Sequence, residues 1–450
     1  MNLNPKRLPW TLQLSYAMAD VGTNAVETVL RIYLLIYYTD RIGLRADLAG
    51  LALAIGLLWD AITDPVMGAI SDRSAHGKYG RRIYVLIGGV LLAVATILLF
   101  HPPALEGQWQ RFGWLLGASC FLNTALTIIN VPHMAMAGEM TVDPHERSVL
   151  FGWRFVCMNV GALLAAAIPV LLLTGPSDRT VNAMGTSSVL IGIVVCVSAT
   201  WTWWATRRTL FHVERSRRQS LFTEFKEAFS NVTFRPLVLI YIVASIGIGV
   251  NATVALYYYN YYLGLSDLQI QIMVLVVLVV FTVSIAFWVR YSQRQGKIRP
   301  IIFGASLLGI GTSILYLLLP HGNFVLPLVL GAIGLGSLIG CIVLIDSLLT
   351  DVIDHDCIKT GVRRSGVFFG VWRFASKLAR AAATGGTGVI LDMIGFVPNH
   401  AQSEDVRSAL SLLFGPGVGV CFLTAALLLT RYKFTSNKQR QVQRILARRS

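Results

Sequence analysis

Two carboxylates stand one helical turn apart in the segment WDAITDP, residues 59–65. On a helix Asp60 and Asp64 share one face, about 6 Å apart, with Thr63 beside them. Two anions this close in a low dielectric repel strongly, so a proton, a basic side chain or a metal cation must neutralise them. Hard cations take oxygen ligands, and this group with a hydroxyl from another helix would make a sodium site. The alternative is that one aspartate caps the bend at Pro65 while the other pairs with a Lys or Arg.

Further polar residues interrupt the first apolar stretch. Glu27 and Arg31 are four residues apart and can form a structural ion pair along one helical face. Asp20 and Asn24 share that face, closer to the start of the stretch. A charge at mid-membrane costs roughly 2.5–3.5 kcal/mol, so we expect these side chains to face a partner or a wet cavity.

The second half of the chain has a lone acid, Asp346, within CIVLIDSLL. Such an acid is either proton-sensitive or paired with a basic residue. Arg373, Lys377 and Arg380 are candidate partners, because their i, i+4, i+7 spacing puts them on one helical face. The alternative role for Arg373 and Arg380 is anchoring near the cytoplasmic end or ion pairing. Lys377 lies deeper in its apolar segment, so anchoring explains it less well.

Composition places these residues in a membrane. Of 450 residues, 55% are hydrophobic and 14% are charged, and the mean hydropathy is +0.63. A soluble chain carries about a quarter charged residues. A disordered protein, a secreted disulfide scaffold and an ordinary cytosolic enzyme are therefore excluded. The six cysteines are scattered without C-x-x-C spacing and are interpreted as buried hydrophobes.

Twelve segments approach the length of about 20 apolar residues that a membrane helix needs. The first contains charged residues, whereas a cleavable signal peptide has an uninterrupted apolar core, so we interpret it as a span. The predicted spans are 14–39, 47–71, 82–101, 112–138, 149–174, 184–206, 236–262, 267–289, 300–319, 324–349, 367–395 and 407–430.

The distribution of basic residues predicts the orientation. With both termini cytoplasmic, 27 Lys and Arg residues lie inside and four outside. By the positive-inside rule this predicts a multi-pass protein of the cell (inner) membrane with cytoplasmic termini. The net charge of +15 is thus a topology signal, and no nucleic-acid partner is expected. The basic tail 431–450 can contact anionic membrane lipids, and we expect a monomer.

The longest polar connection, 207–234, separates an N-terminal half, 1–206, from a C-terminal half, 235–430. The tripeptide Trp-Arg-Phe enters the fifth span at 153–155 and the eleventh span at 372–374. A match at equivalent points of both halves indicates a duplicated six-helix unit. Two such units are the layout of major facilitator transporters, which work by alternating access. The sequence therefore predicts an all-α membrane protein with this fold.

Three segments carry a family resemblance: 14–40, 59–82 and 351–370. They resemble the glycoside–pentoside–hexuronide:cation symporter family, typified by the melibiose permease, and the resemblance extends over the whole chain. Its most specific part is W-D-A-x-[NT]-D-P followed by a basic turn. The same superfamily branch includes sodium-coupled lysolipid carriers.

The resemblance implies roles for individual residues. Asp60 and Asp64 match two aspartates that ligate the coupling cation, and Thr127 matches a hydroxyl of that site. Arg154 matches an arginine at the sugar site, and Lys377 matches a lysine between the two sites.

The chain departs from the melibiose pattern at the substrate site. Asn24 and Asn130 stand where that branch has two sugar-binding aspartates, and Met134 stands where it has a stacking tryptophan. An amide lacks the charge-assisted hydrogen bonding of a carboxylate. We assign these three residues and Asp20 to substrate binding. Their types do not match the pattern that binds a galactoside.

The turn 68–82 resembles the superfamily's loop signature. We predict a gating latch in which Asp72 pairs with basic residues across the cytoplasmic face and holds the outward-facing state closed; the alternative is plain topogenic charge. Arg73 and Arg81 of the same turn are also assigned to gating. Arg373 and Asp346 are assigned to coupling.

The expected function is symport of a sugar or glycoside with Na⁺ or H⁺, without a cofactor. The alternative is cation-coupled transport of a lysolipid or another amphiphilic anion, whose head group Arg154 and Lys377 would bind. No nucleophile–base pair, metal-ligand cluster or phosphate-binding loop in the sequence indicates an enzyme.

Overall fold

The computed structural model describes residues 8–74, 80–141, 144–172, 180–207, 229–360 and 365–432. Every regular element in these ranges is helical. The chain divides into two compact units, Met1–Ser216 (unit 1) and Arg217–Ser450 (unit 2). Most of the predicted loop 207–234 and tail 431–450 lies outside the described residues.

Unit 1 consists of six long helical rods. The first rod is interrupted at Met18 and ends in a π-helical turn, Tyr37–Arg41. The described helices of this unit are α1 (Trp10–Ala17), α2 (Ala19–Ile36), α3 (Ala46–Ser74), α4 (Arg82–Phe100), α5 (Gln108–Met140), α6 (Pro144–Leu171) and α7 (Thr180–Thr206).

In its described residues unit 2 also has six rods, and three of them contain π-helical segments, the first of which, Tyr258–Tyr262, ends the first rod. The fourth rod joins a π-helical segment, Pro327–Leu335, and a 3-10 turn, Gly340–Ile342, to two α-helices, so it runs past the predicted end at 349. The sixth rod contains a π-helical segment, Leu413–Gly417. The described helices are α8 (Phe234–Tyr257), α9 (Asp267–Gln295), α10 (Ile298–Leu318), α11 (Gly336–Ile339), α12 (Val343–Thr360), α13 (Ser365–Met393), α14 (Glu404–Leu412) and α15 (Val418–Thr430).

Ten helical segments in the described ranges are long and apolar enough to cross a membrane. The two predicted spans that do not meet this composition test, 14–39 and 367–395, correspond to α1–α2 and α13. These are the rods that carry Asp20, Glu27 and Arg31 in unit 1 and, in unit 2, the basic stripe formed by Arg373, Lys377 and Arg380. The predicted all-helical fold with twelve spans is confirmed, and its polar residues are concentrated in the first rod of unit 1 and the fifth rod of unit 2.

The two units repeat one packing pattern. In unit 1, α2 packs against α6 and α7, α4 against α7, and α5 against α3 and α4. In unit 2, α8 packs against α13 and α15, α10 against α15, and α11 against α9 and α10. Counting rods within each unit, both sets of contacts join rods 1–5, 1–6, 3–6, 2–4 and 3–4. The predicted duplication of a six-helix unit is therefore expressed in the packing.

A second repeat, which the sequence analysis missed, ends the first rod of each unit. The segments are IYYTDRIGL at 36–44 and YYYNYYLGL at 257–265. Each has a π-helical turn followed by a glycine with positive φ, 70° at Gly43 and 67° at Gly264. The leucine that follows each glycine donates its backbone N–H to the carbonyl of the third residue of the segment, Tyr38 at 2.9 Å and Tyr259 at 3.0 Å. Glycine is needed at both turns because L side chains rarely adopt this conformation.

The polarity of the helix faces is reversed relative to a soluble bundle. On α3, Asp60 is buried, whereas Ile62 is 62% exposed and Val66 is 56% exposed. Apolar side chains pointing outward are the expected arrangement when lipid is the solvent. The carboxylates are thus directed to the protein side of the helix.

Candidate functional site

The hydroxyl of Thr127 on α5 joins the two aspartates of α3. Its Oγ1 lies 2.6 Å from Oδ1 of Asp60 and 3.0 Å from Oδ1 of Asp64. Thr63 Oγ1 is 3.2 Å from the same hydroxyl and also donates to the Asp60 carbonyl oxygen at 3.2 Å. A threonine hydroxyl has one proton, so Thr127 can donate to only one carboxylate at a time. The cluster is therefore rich in oxygen and negative charge.

Close parallel packing of α3 and α5 positions this cluster. Contacts advance in step along both helices: Gly56 meets Ser119, Asp60 meets Thr127, and Gly68 meets Val131. A Cβ added at Gly56 would lie 3.0 Å from the Ser119 Cβ, so the glycine allows the two backbones to approach. The i, i+4 spacing of Asp60 and Asp64 puts both side chains on one face of α3. The close approach of α5 to α3 brings Thr127 to that face.

Two prolines each remove one helical backbone hydrogen bond next to the cluster. Pro65 lies inside α3 and Pro132 inside α5. A proline has no N–H to donate to the carbonyl four residues earlier, which is Ala61 in α3 and Ile128 in α5. Each of these carbonyls belongs to the residue after a member of the cluster, Asp60 or Thr127. Backbone oxygens released from helical bonding are common cation ligands in transporters.

A buried ion pair lies elsewhere in unit 1. Arg154 of α6 donates to both carboxylate oxygens of Asp20 on α2, from Nε at 2.8 Å and from Nη2 at 2.9 Å. Both side chains are buried. Gly161, seven residues after Arg154 and so on the same face, lets α6 approach, because a Cβ there would collide with the Val21 carbonyl oxygen. The two predicted substrate residues therefore neutralise each other.

His133 and Tyr16 complete the surroundings of this ion pair. His133 Nε2 is 2.8 Å from the Tyr16 carbonyl oxygen, and the Tyr16 hydroxyl donates to the His133 carbonyl at 2.6 Å. The other ring nitrogen of His133 lies 3.7 Å from Asp20 Oδ1. Among the described residues, Arg154 Nη1 finds no hydrogen-bond acceptor.

The remaining predicted substrate residues of unit 1 are half-buried and have partners inside the unit. The amide of Asn24 donates to the Met158 carbonyl. The amide of Asn130 donates to Glu27 Oε1 at 3.3 Å. Met134 is half-buried on α5, one turn beyond Asn130.

In the described part of unit 2, Asp346 forms a hydrogen bond with an indole, and no salt bridge joins it to Arg373, Lys377 or Arg380, which was one of the two alternatives. Its Oδ1 accepts a hydrogen bond of 2.8 Å from Nε1 of Trp372 on α13. Tyr241 of α8 stacks on the Trp372 ring, with centroids 3.8 Å apart and planes at 14°. Lys377 is buried one turn further along α13, and Arg373 is half-buried.

The predicted latch residues meet in unit 1 at Arg81, which precedes α4. Its guanidinium binds Asp72 at 2.7 Å and Glu139 at 2.6 Å, and it donates to Ser71 Oγ at 2.8 Å. Arg73 is exposed. Arg81 therefore ties together the ends of α3, α4 and α5. The middle of the basic turn, 75–79, lies outside the described residues.

The predicted residues thus form separate groups. Asp60, Thr63, Asp64 and Thr127 converge; Asp20 and Arg154 form a second group. Sequence reasoning missed His133, Tyr241, Trp372 and Glu139. The Trp-Arg-Phe repeat contains Trp372, but the repeat by itself indicates only the duplication of the two halves. His133 had no signal, because a lone histidine in an apolar span does not reveal its neighbours.

Comparisons with known proteins agree with this architecture. The family model described as MFS/sugar transport protein matches residues 15–436. The putative glycoside/cation symporter YagG of Escherichia coli is 25% identical, with 96% of this chain and 94% of YagG covered. The isoprimeverose transporter of Lactiplantibacillus pentosus is 24% identical, with 95% and 89% covered.

A solved structure shares the fold. It is a bacterial homologue of the human lysosomal transporter Spinster, with a TM-score of 0.65 and 12% sequence identity. The match covers 95% of this chain and 98% of that one. At this identity the likeness concerns the fold alone.

Proposed function

The chain belongs to the MFS/sugar transport protein family, the glycoside–pentoside–hexuronide:cation symporters, and on that premise we propose that it couples a monovalent cation to transport of a neutral sugar or glycoside. As a member of this family it is a multi-pass membrane transporter and not an enzyme. The observation that carries the proposal is the convergence of Asp60, Asp64 and Thr63 on the Thr127 hydroxyl.

Charge balance explains how this cluster would couple the two movements. Two carboxylates one helical turn apart repel each other when they are enclosed in a low dielectric. A sodium ion or a proton removes much of that repulsion, so the loaded carrier can close over its site more easily than the empty one. The coupling ion is cargo that leaves with the substrate, and Asp60 and Asp64 are its proposed ligands.

The substrate is proposed from family and charge together. The two relatives described above are a putative glycoside/cation symporter and an isoprimeverose transporter. In unit 1, Asp20 neutralises Arg154, so this pair has no net charge with which to attract an anion. These two points support a neutral sugar or glycoside.

A second candidate is an amphiphilic anion. It is favoured by one observation, the Arg154 Nη1 that has no hydrogen-bond acceptor among the described residues. An acid group bound there would supply acceptors for it, and Lys377 would contribute a second positive charge.

Uptake into proteoliposomes tests both candidates. The purified protein is given an inward Na⁺ gradient, an inward H⁺ gradient or no gradient, with radiolabelled xylosides, glucosides and a lysophosphatidylcholine as substrates. The proposal expects a neutral glycoside to accumulate only with one of the two gradients. Accumulation of the lysolipid alone would favour the second candidate, and gradient-independent equilibration of every substrate would reject symport.

A further inference from the structure

Asp346 is a carboxylate inside a membrane-crossing helix, within the apolar segment Pro327–Ile358. The residue is solvent-exposed. A charged side chain in a span survives where it faces water or a partner. We therefore expect the free side of Asp346 to face water rather than lipid.

The hydrogen bond from Trp372 leaves most of the acceptor capacity of the Asp346 carboxylate available. Within the described part of the chain, Asp346 forms no salt bridge, and its hydrogen bond comes from Trp372 Nε1. A carboxylate has about four lone-pair positions, and the indole occupies one of them on Oδ1. The indole thereby orients the carboxylate without neutralising its charge.

An aromatic surface and hydroxyls adjoin the carboxylate. Tyr241 stacks on the buried Trp372 ring and is itself half-buried. Its hydroxyl interacts with the hydroxyls of Ser245 and Ser376. Aromatic walls with a few placed polar groups are typical of small-molecule sites. Tyr241, Asp346 and Trp372 thus come from three different helices, α8, α12 and α13.

The charge of Asp346 restricts the ligand class. A carboxylate repels an acidic ligand. A neutral ligand with several hydroxyls avoids this penalty, and its O–H groups can donate charge-assisted hydrogen bonds to Asp346. In unit 1, by contrast, Asn24 and Asn130 are engaged with Met158 and Glu27.

We propose that Asp346, Trp372 and Tyr241 form a sugar subsite in unit 2 that selects neutral pyranosides. Asp346 accepts sugar hydroxyls, Tyr241 offers an apolar surface to the C–H face of the ring, and Trp372 is a positioning residue that holds the carboxylate. The subsite rests on the proposed function, since it assigns a substrate class to the proposed symporter.

Binding titrations of the purified full chain in Na⁺ buffer test this subsite. The probes are methyl β-D-xylopyranoside, methyl β-D-glucopyranoside and the acidic sugar D-glucuronate. For Asp346→Asn, which keeps the side-chain shape, the Kd of the neutral glycosides should rise about tenfold or more, since hydrogen bonds to charged groups are the strong ones. Affinity for glucuronate should stay the same or increase. The matched control is Asp405→Asn, an exposed acid in the first turn of α14, which should behave as wild type.

Trp372→Phe provides a second variant that retains an aromatic ring. Without the N–H, the carboxylate loses its orientation, so the Kd of neutral glycosides should rise severalfold while Na⁺ affinity and melting temperature stay unchanged. A parallel loss of Na⁺ affinity would make Trp372 merely structural and contradict its positioning role.

The outcomes separate this inference from the proposed function. Gradient-driven uptake with an unchanged glycoside Kd in Asp346→Asn overturns the subsite and leaves symport intact. A glycoside Kd that depends on Asp346, without any driven uptake, overturns symport and supports the subsite. Failure of the wild-type protein to bind either neutral glycoside overturns the subsite as well.

Discussion

The hydroxyl oxygen of Thr127 lies 2.6 Å from Oδ1 of Asp60, a short contact between α5 and α3. The same oxygen reaches Asp64 at 3.0 Å, so one hydroxyl bridges the two carboxylates. In the proposed mechanism the coupling cation binds beside this hydroxyl, between the carboxylates. The Thr127 hydroxyl then becomes a ligand as well as a spacer that holds the aspartates on one side.

Removal of this hydroxyl should weaken cation binding without unfolding the protein. Thr127→Val has nearly the same shape but no oxygen, so we expect the Kd for the coupling cation to rise about 5- to 30-fold, equivalent to roughly 1–2 kcal/mol. Thr127→Ser restores the oxygen and should bind nearly as wild type. Isothermal titration with Na⁺ measures both variants, and equal affinities for the Val and Ser variants would contradict a ligand role.

The buried pair of Asp20 and Arg154 should be needed for stability as well as for substrate binding. Asp20→Asn leaves a buried guanidinium without its counter-charge, which costs about 3–5 kcal/mol. The matched control is Asp47→Asn, since Asp47 pairs with Arg45 at 2.7 Å on an exposed face and should cost about 0–1 kcal/mol. Melting temperatures in detergent provide the comparison, and equal losses for the two variants would contradict the importance of burial.

Close approach of α2 and α6 should depend on Gly161. In Gly161→Ala the added Cβ meets the Val21 carbonyl oxygen, so the helices must separate, at a cost of about 1–3 kcal/mol. Gly152→Ala on the same helix is the matched control, because no heavy atom lies within 4 Å of the added Cβ. The first variant should melt at a lower temperature and the second should not. Identical melting temperatures would show that this contact is not restrictive.

The two acids that bind Arg81 should differ in effect. The Asp72 side chain is 57% exposed and the Glu139 side chain is 12% exposed. Asp72→Asn should therefore cost at most about 1 kcal/mol, whereas Glu139→Gln should cost more. Because Asp72 is the proposed latch residue, Asp72→Asn should change the transport rate while cation affinity is retained. Stopped-flow uptake and Na⁺ titration measure the two quantities, and an equal loss of both in Asp72→Asn would count against the latch.

Helical periodicity made the shared face of Asp60 and Asp64, the acidic half of the proposed cation site, predictable. The i, i+4 spacing of Asp60 and Asp64 fixes a shared face whatever the helix packs against. Thr127 was named only through a family resemblance, since no local rule links residues 60 and 127. Their contact depends on the close packing of α3 and α5 at Gly56, which is a tertiary property.

The partner of Asp346 could not be predicted in the same way. Trp372 and Arg373 are neighbours about 100° apart around α13, so the choice between them depends on how α13 is rotated against α12. The sequence pointed to the basic residues because opposite charges attract, and the structure brings the indole instead. Arg154 had a comparable ambiguity, because its spacing did not reveal Asp20 as its partner.

Sugar accumulation against a gradient tests the central claim most directly. Proteoliposomes containing wild type, Asp60→Asn or Asp64→Asn are given an inward gradient of the coupling cation and the glycoside that binds best in titrations. We expect wild type to concentrate the glycoside, and both variants to lose accumulation while still exchanging it downhill, because each lacks one carboxylate ligand and half of the site's charge. Accumulation by either variant to the wild-type level would contradict the assignment of the cation site to Asp60 and Asp64.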